Sequence, residues 1–502
     1  MSPTRIGAGV SRLAMAYKIM NSLSPTAMLG GWQPSSRAAI LRTPTMTPGR
    51  PGRKRQTGMS EMHVPKSCDT MVALPAGTTH GQTLFAKNSD RPWDECQPLE
   101  LHERRSHDAD ARTECQFISL PEVDVTWRHV GSRPWWCWGY EHGFNEHQVV
   151  IGNEGLGSKF DSAQEPRLIG MEILRLGLER GRTAREAVDC MTGAITEYGQ
   201  GKFDNDANVR TYDNGYIVAD PQEAFVIETA GHEWAVQRVE GAVGISNVYS
   251  VETAYESLSD TAESTAIEHG WWTAGQLPFN FADAYSANDR TQGSGAMRRR
   301  RSCAVLGARS GGIDTAAMMS LLRDHSDATQ PDEPFRTDLT GKGICIHFDE
   351  GPKGGNTAAS LVADLCADGS RLPIYWCSFY SPCQAPFFPV FLQGTPPERL
   401  AIGGQHPTED SPWWRFLRLA HLAREDAPHR VAEIRSRWAA LESDLMISAY
   451  PLAIDAKRMI DAGDEAFTQQ RLTAYMQDNV DRMLATTEDL IAQFSATSIA
   501  AG

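Results

Sequence analysis

The sequence contains no Cys-x-x-Cys pair, although it has 10 cysteines, at positions 68, 96, 115, 137, 190, 303, 345, 366, 377 and 383. That scatter lacks the clustered ligand spacing of a metal finger, so a zinc site is not indicated, and nothing else in the sequence points to a metal or organic cofactor. A recognisable secretory signal peptide is also lacking, which favours reduced thiols in the cytoplasm over a disulfide framework. Long uncharged runs are few. Leu372 to Pro397 has the length of a membrane span, but six prolines interrupt it, and buried strand and turn is the better reading. Gly354-Gly355-Asn356-Thr357 lacks the order of a Walker phosphate loop. Acidic residues are almost missing from the first 67 positions, where ten Lys and Arg face the single acid Glu61. The remainder holds 38 basic and 62 acidic residues, a net of −24. Such a body should repel nucleic acid and anionic membranes.

What is present suits a soluble protein of 502 residues, 41% hydrophobic and 22% charged. Residues 1–67 cannot build a core and read as a disordered basic extension or propeptide. Either they are an organelle transit peptide, with Val10 to Leu23 drawn as a weak amphipathic helix, or translation starts at Met59; the second reading is the plainer one. Residues 68–400 read as one domain of strands and helices, and 401–502 as a helical region without obvious chemistry that packs on the sheets or makes a homo-oligomer.

Ser67 to Leu74 and Thr83 to Arg91 are Thr-, Val-, Leu- and Phe-rich segments separated by Pro75, Gly77 and Gly81, the pattern of a hairpin with a long loop. Cys68 then starts one strand, and Lys87, Asn88, Ser89, Asp90 and Arg91 close the other, at the same sheet edge. Val149 to Ile151 is an apolar run leading to Asn153 between glycines. Leu168 to Arg180 is a helix, and Thr183 with Glu186 caps a second one to about Tyr198. Strands return over Gly215 to Ala219, Ala224 to Thr229, Glu233 to Val239 and Ala242 to Ser246, the last delivering Asn247. Arg298 to Arg301 read as a solvated helix face from which one arginine reaches inward. Strands over 344–348 and 372–380 precede helices over Trp413 to Ala423, Ala427 to Met446 and Ala453 to Ala492.

A thiol inside a chain needs a base. His80, in the hairpin loop, would make an internal Cys-His hydrolase. Alternatively, cutting the peptide bond before Cys68 frees an α-amine of pKa near ~8 that takes the proton from its own thiol. Asp90 then accepts from the amine, Lys87 or Arg91 favours the thiolate, and Asn153 or Asn247 donates to the developing oxyanion. From spacing alone, the ordinary use of such a cysteine is burial in a core.

Ser67 to Leu74, Lys87 to Pro92, Phe144 to Glu154 and Glu228 to Gly231 resemble, in order, the motifs of the secernin family, which belongs with the dipeptidases of the N-terminal-nucleophile (Ntn) hydrolases. The resemblance implies an α+β fold: an Ntn-hydrolase-like αββα sandwich of two antiparallel sheets between helix layers, with a C-terminal helical appendage. It implies a propeptide removed to expose Cys68 and a thiol dipeptidase acting on small peptides or acyl amino acids. Related acylases carry a Gly-Arg-Asn-x-Asp pattern that Ala86-Lys87-Asn88-Ser89-Asp90 matches with Lys for Arg and Ala for Gly. Their asparagines fall on Asn153 and Asn247, and a later arginine falls within Arg298 to Arg301, with Arg300 chosen. Some secernins are discussed as regulators of secretion, so a non-catalytic interaction protein on the same fold is the alternative.

Overall fold

A computed structural model describes residues 67–161, 165–201, 212–325, 343–347 and 355–501. The basic extension before Ser67, with Met59 in it, and Gly354 lie outside the described residues. From Ser67 onward the described residues belong to one compact unit.

The hairpin is present. Strand β1 (Ser67–Ala73) pairs antiparallel with β2 (Thr83–Pro92), Cys68 opposite Ser89 and Thr70 opposite Lys87. Around them runs a six-stranded sheet in the order Ala242–Ser246, β1, β2, Gly355–Leu365, Ile374–Phe379, Phe388–Val390, antiparallel throughout. An eight-stranded antiparallel sheet lies against it, in the order Ser257–Leu258, Glu233–Arg238, Ala224–Ala230, Asp213–Ala219, Val150–Leu156, His142–Asn145, His129–Ser132, Leu99–His102. β1 packs directly on Val150–Leu156. Helices α1 (Gly170–Arg180) and α2 (Ala184–Tyr198) cover the outer face of the larger sheet. Gly293–Ala308 and Thr315–Leu322 cover the outer face of the smaller one. This is the αββα sandwich, and its core strands are buried almost without exception because both faces of each sheet are covered.

The Thr183 cap forms, with Thr183 Oγ1 accepting from Glu186 N at 3.1 Å, but the Glu186 carboxylate reaches Arg182 N instead of closing the box on Thr183. In the C-terminal region the helices are Pro412–Arg424, Ala427–Asp461 and Glu465–Ala501. The break expected between Met446 and Ala453 is absent. The middle helix runs through Pro451, and the chain turns instead at Gly463, where φ is +88°. A proline forfeits one helix hydrogen bond; burial of Leu452, Ala453 and Ala456 beside it outweighs that loss. These helices pack on the Ile374–Phe379 and Phe388–Val390 edge, where Trp438 Nε1 donates to Gln384 O at 3.0 Å. Among the described residues no helix is long and apolar enough to cross a membrane.

Candidate active site

Strand alternation divides the hairpin's polar residues between two faces. Cys68, Thr70, Lys87 and Ser89 face the space between the sheets, whereas Asp69, Asn88 and Asp90 face the helix layer. On the inner face Lys87 Nζ donates to Asn153 O at 2.6 Å and lies 3.8 Å from Glu154, which also accepts from Thr70 Oγ1. Gly152 makes room for this lysine, because a Cβ there would lie 2.4 Å from Lys87 Cδ. The Cys68 sulfur accepts from Asp90 N at 3.4 Å and stands 4.0 Å from Glu141 Oε2. Burial pushes the thiol well above its ordinary pKa, Lys87 opposes that, and Glu154, Glu141 and Asp90 add to it.

On the outer face Arg298 collects the site. Its Nη1 donates to Cys68 O at 2.9 Å and to Asp69 Oδ2 at 2.5 Å, and its Nη2 donates to Asn247 Oδ1 at 2.8 Å. The same Asn247 oxygen accepts from Cys68 N at 2.8 Å, while Asn247 Nδ2 donates to Gly155 O at 2.9 Å. The Gly293–Ala308 helix reaches this point because Gly295 has no side chain; a Cβ there would lie 2.8 Å from Asn247 O.

The structure thus brings Cys68, Lys87, Asn153 and Asn247 together but changes three expectations. Arg300 is not in the cluster: it is exposed and donates to Thr291 O, and Arg298 is the arginine that reaches inward. At about 100° per residue, a helix that turns positions 298 and 301 inward turns 300 out. Asn247, not Asp90, holds Cys68 N, because Asp90 stands opposite Ser67 and its carboxylate accepts from Thr357 Oγ1 at 2.6 Å. His80 is exposed at the far end of β1 from Cys68, so it supplies no base there. Arg91 pairs with Glu95 and Glu141. Sequence reasoning held Arg298 only as one of four candidates and passed over the roles of Glu141, Glu154 and Asn214. Asn214 Oδ1 lies 3.1 Å from Asn153 Nδ2; with the Asn153 amide turned over, its NH2 meets Glu141 O and Oε2, both at 2.9 Å. Asn214 Nδ2 in turn donates to Gln200 Oε1 at 2.8 Å, and Gln200 lines a cavity of about 410 Å³ with Asp213, His232 and Trp271.

On the helix-layer side of the smaller sheet a second polar cluster is buried: His325, Cys345, His347 and Cys383, four groups of metal-ligand type. The only local signal for it is Cys345-x-His347.

No family model matches the sequence. The solved structures to which the chain is similar include a mutant conjugated bile acid hydrolase from Clostridium perfringens, at 14% identity and a TM-score of 0.38 over 68% of this chain and 98% of that one. They also include a second variant of that hydrolase, at 14% and 0.37 over 64% and 92%, and penicillin V acylase from Agrobacterium tumefaciens, at 14% and 0.35 over 64% and 86%. With TM-scores of this size, the functional reading rests on this chain's own side chains.

Proposed function

We propose that the chain is a cysteine-dependent amide hydrolase of the N-terminal-nucleophile type, a dipeptidase-like enzyme for small peptides or acyl amino acids, working in the cytoplasm. The observation that carries this reading is the hold on Cys68 N. The ladder between β1 and Ala242–Ser246 begins at Asp69, and Cys68 N donates instead to the Asn247 side chain at 2.8 Å. Removing everything before Cys68 would turn that amide into an amine with its acceptor already in place. A cysteine serving only as core filling needs no buried guanidinium and asparagine on its backbone.

Hydrolysis of the Ser67–Cys68 bond consumes one water and frees the α-amine, which takes the thiol proton. Burial disfavours a bare thiolate, and Lys87 offsets that cost. The sulfur attacks the substrate carbonyl, and an Asn153 amide turned toward the carbonyl donates to the oxyanion. The amine passes its proton to the leaving nitrogen, the C–N bond breaks, and water then hydrolyses the thioester. The test is intact mass and N-terminal sequencing of the purified protein, together with assay of a dipeptide and acyl-amide panel. A mature chain beginning at Cys68 that hydrolyses members of the panel, and loses this in Cys68→Ser, is the expected result. Hydrolysis by a chain that retains Ser67 overturns the mechanism, and no hydrolysis of any panel member by the cut chain overturns the activity.

A further inference from the structure

His325 follows the Thr315–Leu322 helix, Cys345 and His347 lie in the stretch before the Gly355–Leu365 strand, and Cys383 lies between the last two strands of the smaller sheet. All four are buried, and one ligand atom from each lies within 4.8 Å of the others. His347 Nε2 is 3.4 Å from Cys345 Sγ and 3.2 Å from Cys383 Sγ, and the His325 and His347 rings meet edge to face at 5.1 Å. Two sulfurs therefore converge on a single ring nitrogen, whose lone pair can accept from one thiol only. Around a tetrahedral zinc ion, with sulfur at about 2.3 Å and nitrogen at about 2.0 Å, neighbouring ligand atoms stand roughly 3.5 Å apart.

From this convergence we infer that the chain carries a structural zinc ion held by Cys345, Cys383, His325 and His347. A mixed set of two thiolates and two imidazoles in tetrahedral reach selects zinc over calcium or magnesium, which take oxygen ligands. Four protein ligands, all buried, leave no open position for a substrate or a reactive water, so the ion ties chain segments together. It joins three stretches of the fold whose loop closure it would stabilise. Binding displaces the two thiol protons, and metal affinity falls with pH accordingly.

The knot lies close to the hairpin. Ile346 N donates to Thr357 Oγ1 at 3.1 Å, and that hydroxyl donates to Asp90 Oδ1; Asn88 Nδ2 donates to Ile344 O at 3.0 Å and to Leu322 O at 2.8 Å. Zinc would thus fix the segment that supports the outer face of β2, whether or not Cys68 turns over amides. The test is metal analysis of the untagged full-length chain after dialysis, with zinc-edge X-ray absorption on the same sample. One zinc per chain, with two sulfur ligands at about 2.3 Å and two nitrogen ligands at about 2.0 Å, is expected. Cys383→Ser should lower zinc below roughly a tenth of an equivalent; if that variant does not fold, the wild-type absorption spectrum alone decides. Absence of zinc from wild type after incubation with zinc chloride overturns the inference. So does a Cys345–Cys383 disulfide found by peptide mapping.

Discussion

Arg298 Nη2 and Cys68 N share one acceptor, Asn247 Oδ1, each at 2.8 Å. The buried guanidinium therefore sets the position of the oxygen that holds the cysteine nitrogen, and it neutralises Asp69 at the same time. Burial raises the Asp69 carboxyl to a pKa of about 7 even with Arg298 beside it.

Replacing Arg298 with Ala should strand Asp69 and free Asn247, at a cost of about 3–5 kcal/mol in urea unfolding. Arg298→Lys keeps the charge but not the fork that spans Cys68 O, Asp69 and Asn247. It should keep more of the stability while lowering amide hydrolysis by roughly 10- to 100-fold, read as kcat/KM. Arg300→Ala is the control: an exposed residue should change stability by under about 0.5 kcal/mol and leave hydrolysis unchanged. Equal losses from the two positions would sink the assignment of Arg298.

Gly152→Ala tests the close approach of the sheets. The added methyl would meet Lys87 Cδ at 2.4 Å, and the lysine is fully buried with its ammonium fixed on Asn153 O, so it has little room to yield. Overpacking of this kind costs about 1–3 kcal/mol. The urea midpoint should fall with an unchanged slope, and hydrolysis should fall with it as Lys87 and Asn153 move. A variant as stable and active as wild type would show that the lysine is not held there.

The Thr-, Val-, Leu- and Phe-rich makeup of Ser67 to Leu74 and Thr83 to Arg91, broken by Pro75, Gly77 and Gly81, made the hairpin legible, and with it the neighbourhood of Cys68 and Lys87. Which face Asp90 takes depends on register, because pairing Ser67 rather than Cys68 with Asp90 decides it, and register follows from packing against strands distant in sequence. The choice among four successive arginines was illegible for a similar reason: the phase of the Gly293–Ala308 helix is fixed by its contact with Asn247 and the sheet, not by the polar run itself. Glu141 and Asn214 carry no motif, and they matter only because the bend before the His142–Asn145 strand and the Asp213–Ala219 strand bring them to Asn153. The His325, Cys345, His347 and Cys383 cluster is spread over three stretches, so spacing rules written for local loops pass over it.

His129 supplies a pH test independent of catalysis. Its Nδ1 faces Trp127 O at 2.8 Å and its Nε2 faces Tyr140 Oη at 3.1 Å; Arg175, Glu179 and His102 also surround it. Burial, then Arg175, lower its pKa from 6.5 to about 3. Between those values the unfolded chain binds the proton and the folded chain does not, so this histidine's contribution is complete above about 6.5 and is lost as pH falls. Asp69 and Glu172, both raised by burial to about 7, act in the opposite sense in part of that window. The readout is therefore a difference. From pH 6 to 4, wild type should lose about 1.4 kcal/mol per pH unit more than His129→Gln in urea unfolding. Parallel curves would refute the buried neutral imidazole.

Lys87 joins stability to chemistry, and a double variant separates the two. Burial alone would lower its pKa, but the Cys68 sulfur, Glu154, Glu141 and Asp90 hold it above the ordinary lysine value, so it stays charged. Lys87→Met should cost about 3–5 kcal/mol by leaving Glu154 buried without its counter-ion. Burial raises the Glu154 carboxyl well above its ordinary range, so a neutral amide suits this position once Lys87 is gone, and Lys87→Met/Glu154→Gln should recover most of the lost stability. Hydrolysis should not recover with it. On the proposed mechanism the thiolate formed during attack loses the cation that favours it, and the pH at which Cys68 is half-maximally alkylated should move upward in the double variant. If stability and kcat/KM both return to wild-type values, Lys87 serves only to balance Glu154, and the negative charge that develops on Cys68 is stabilised by other groups.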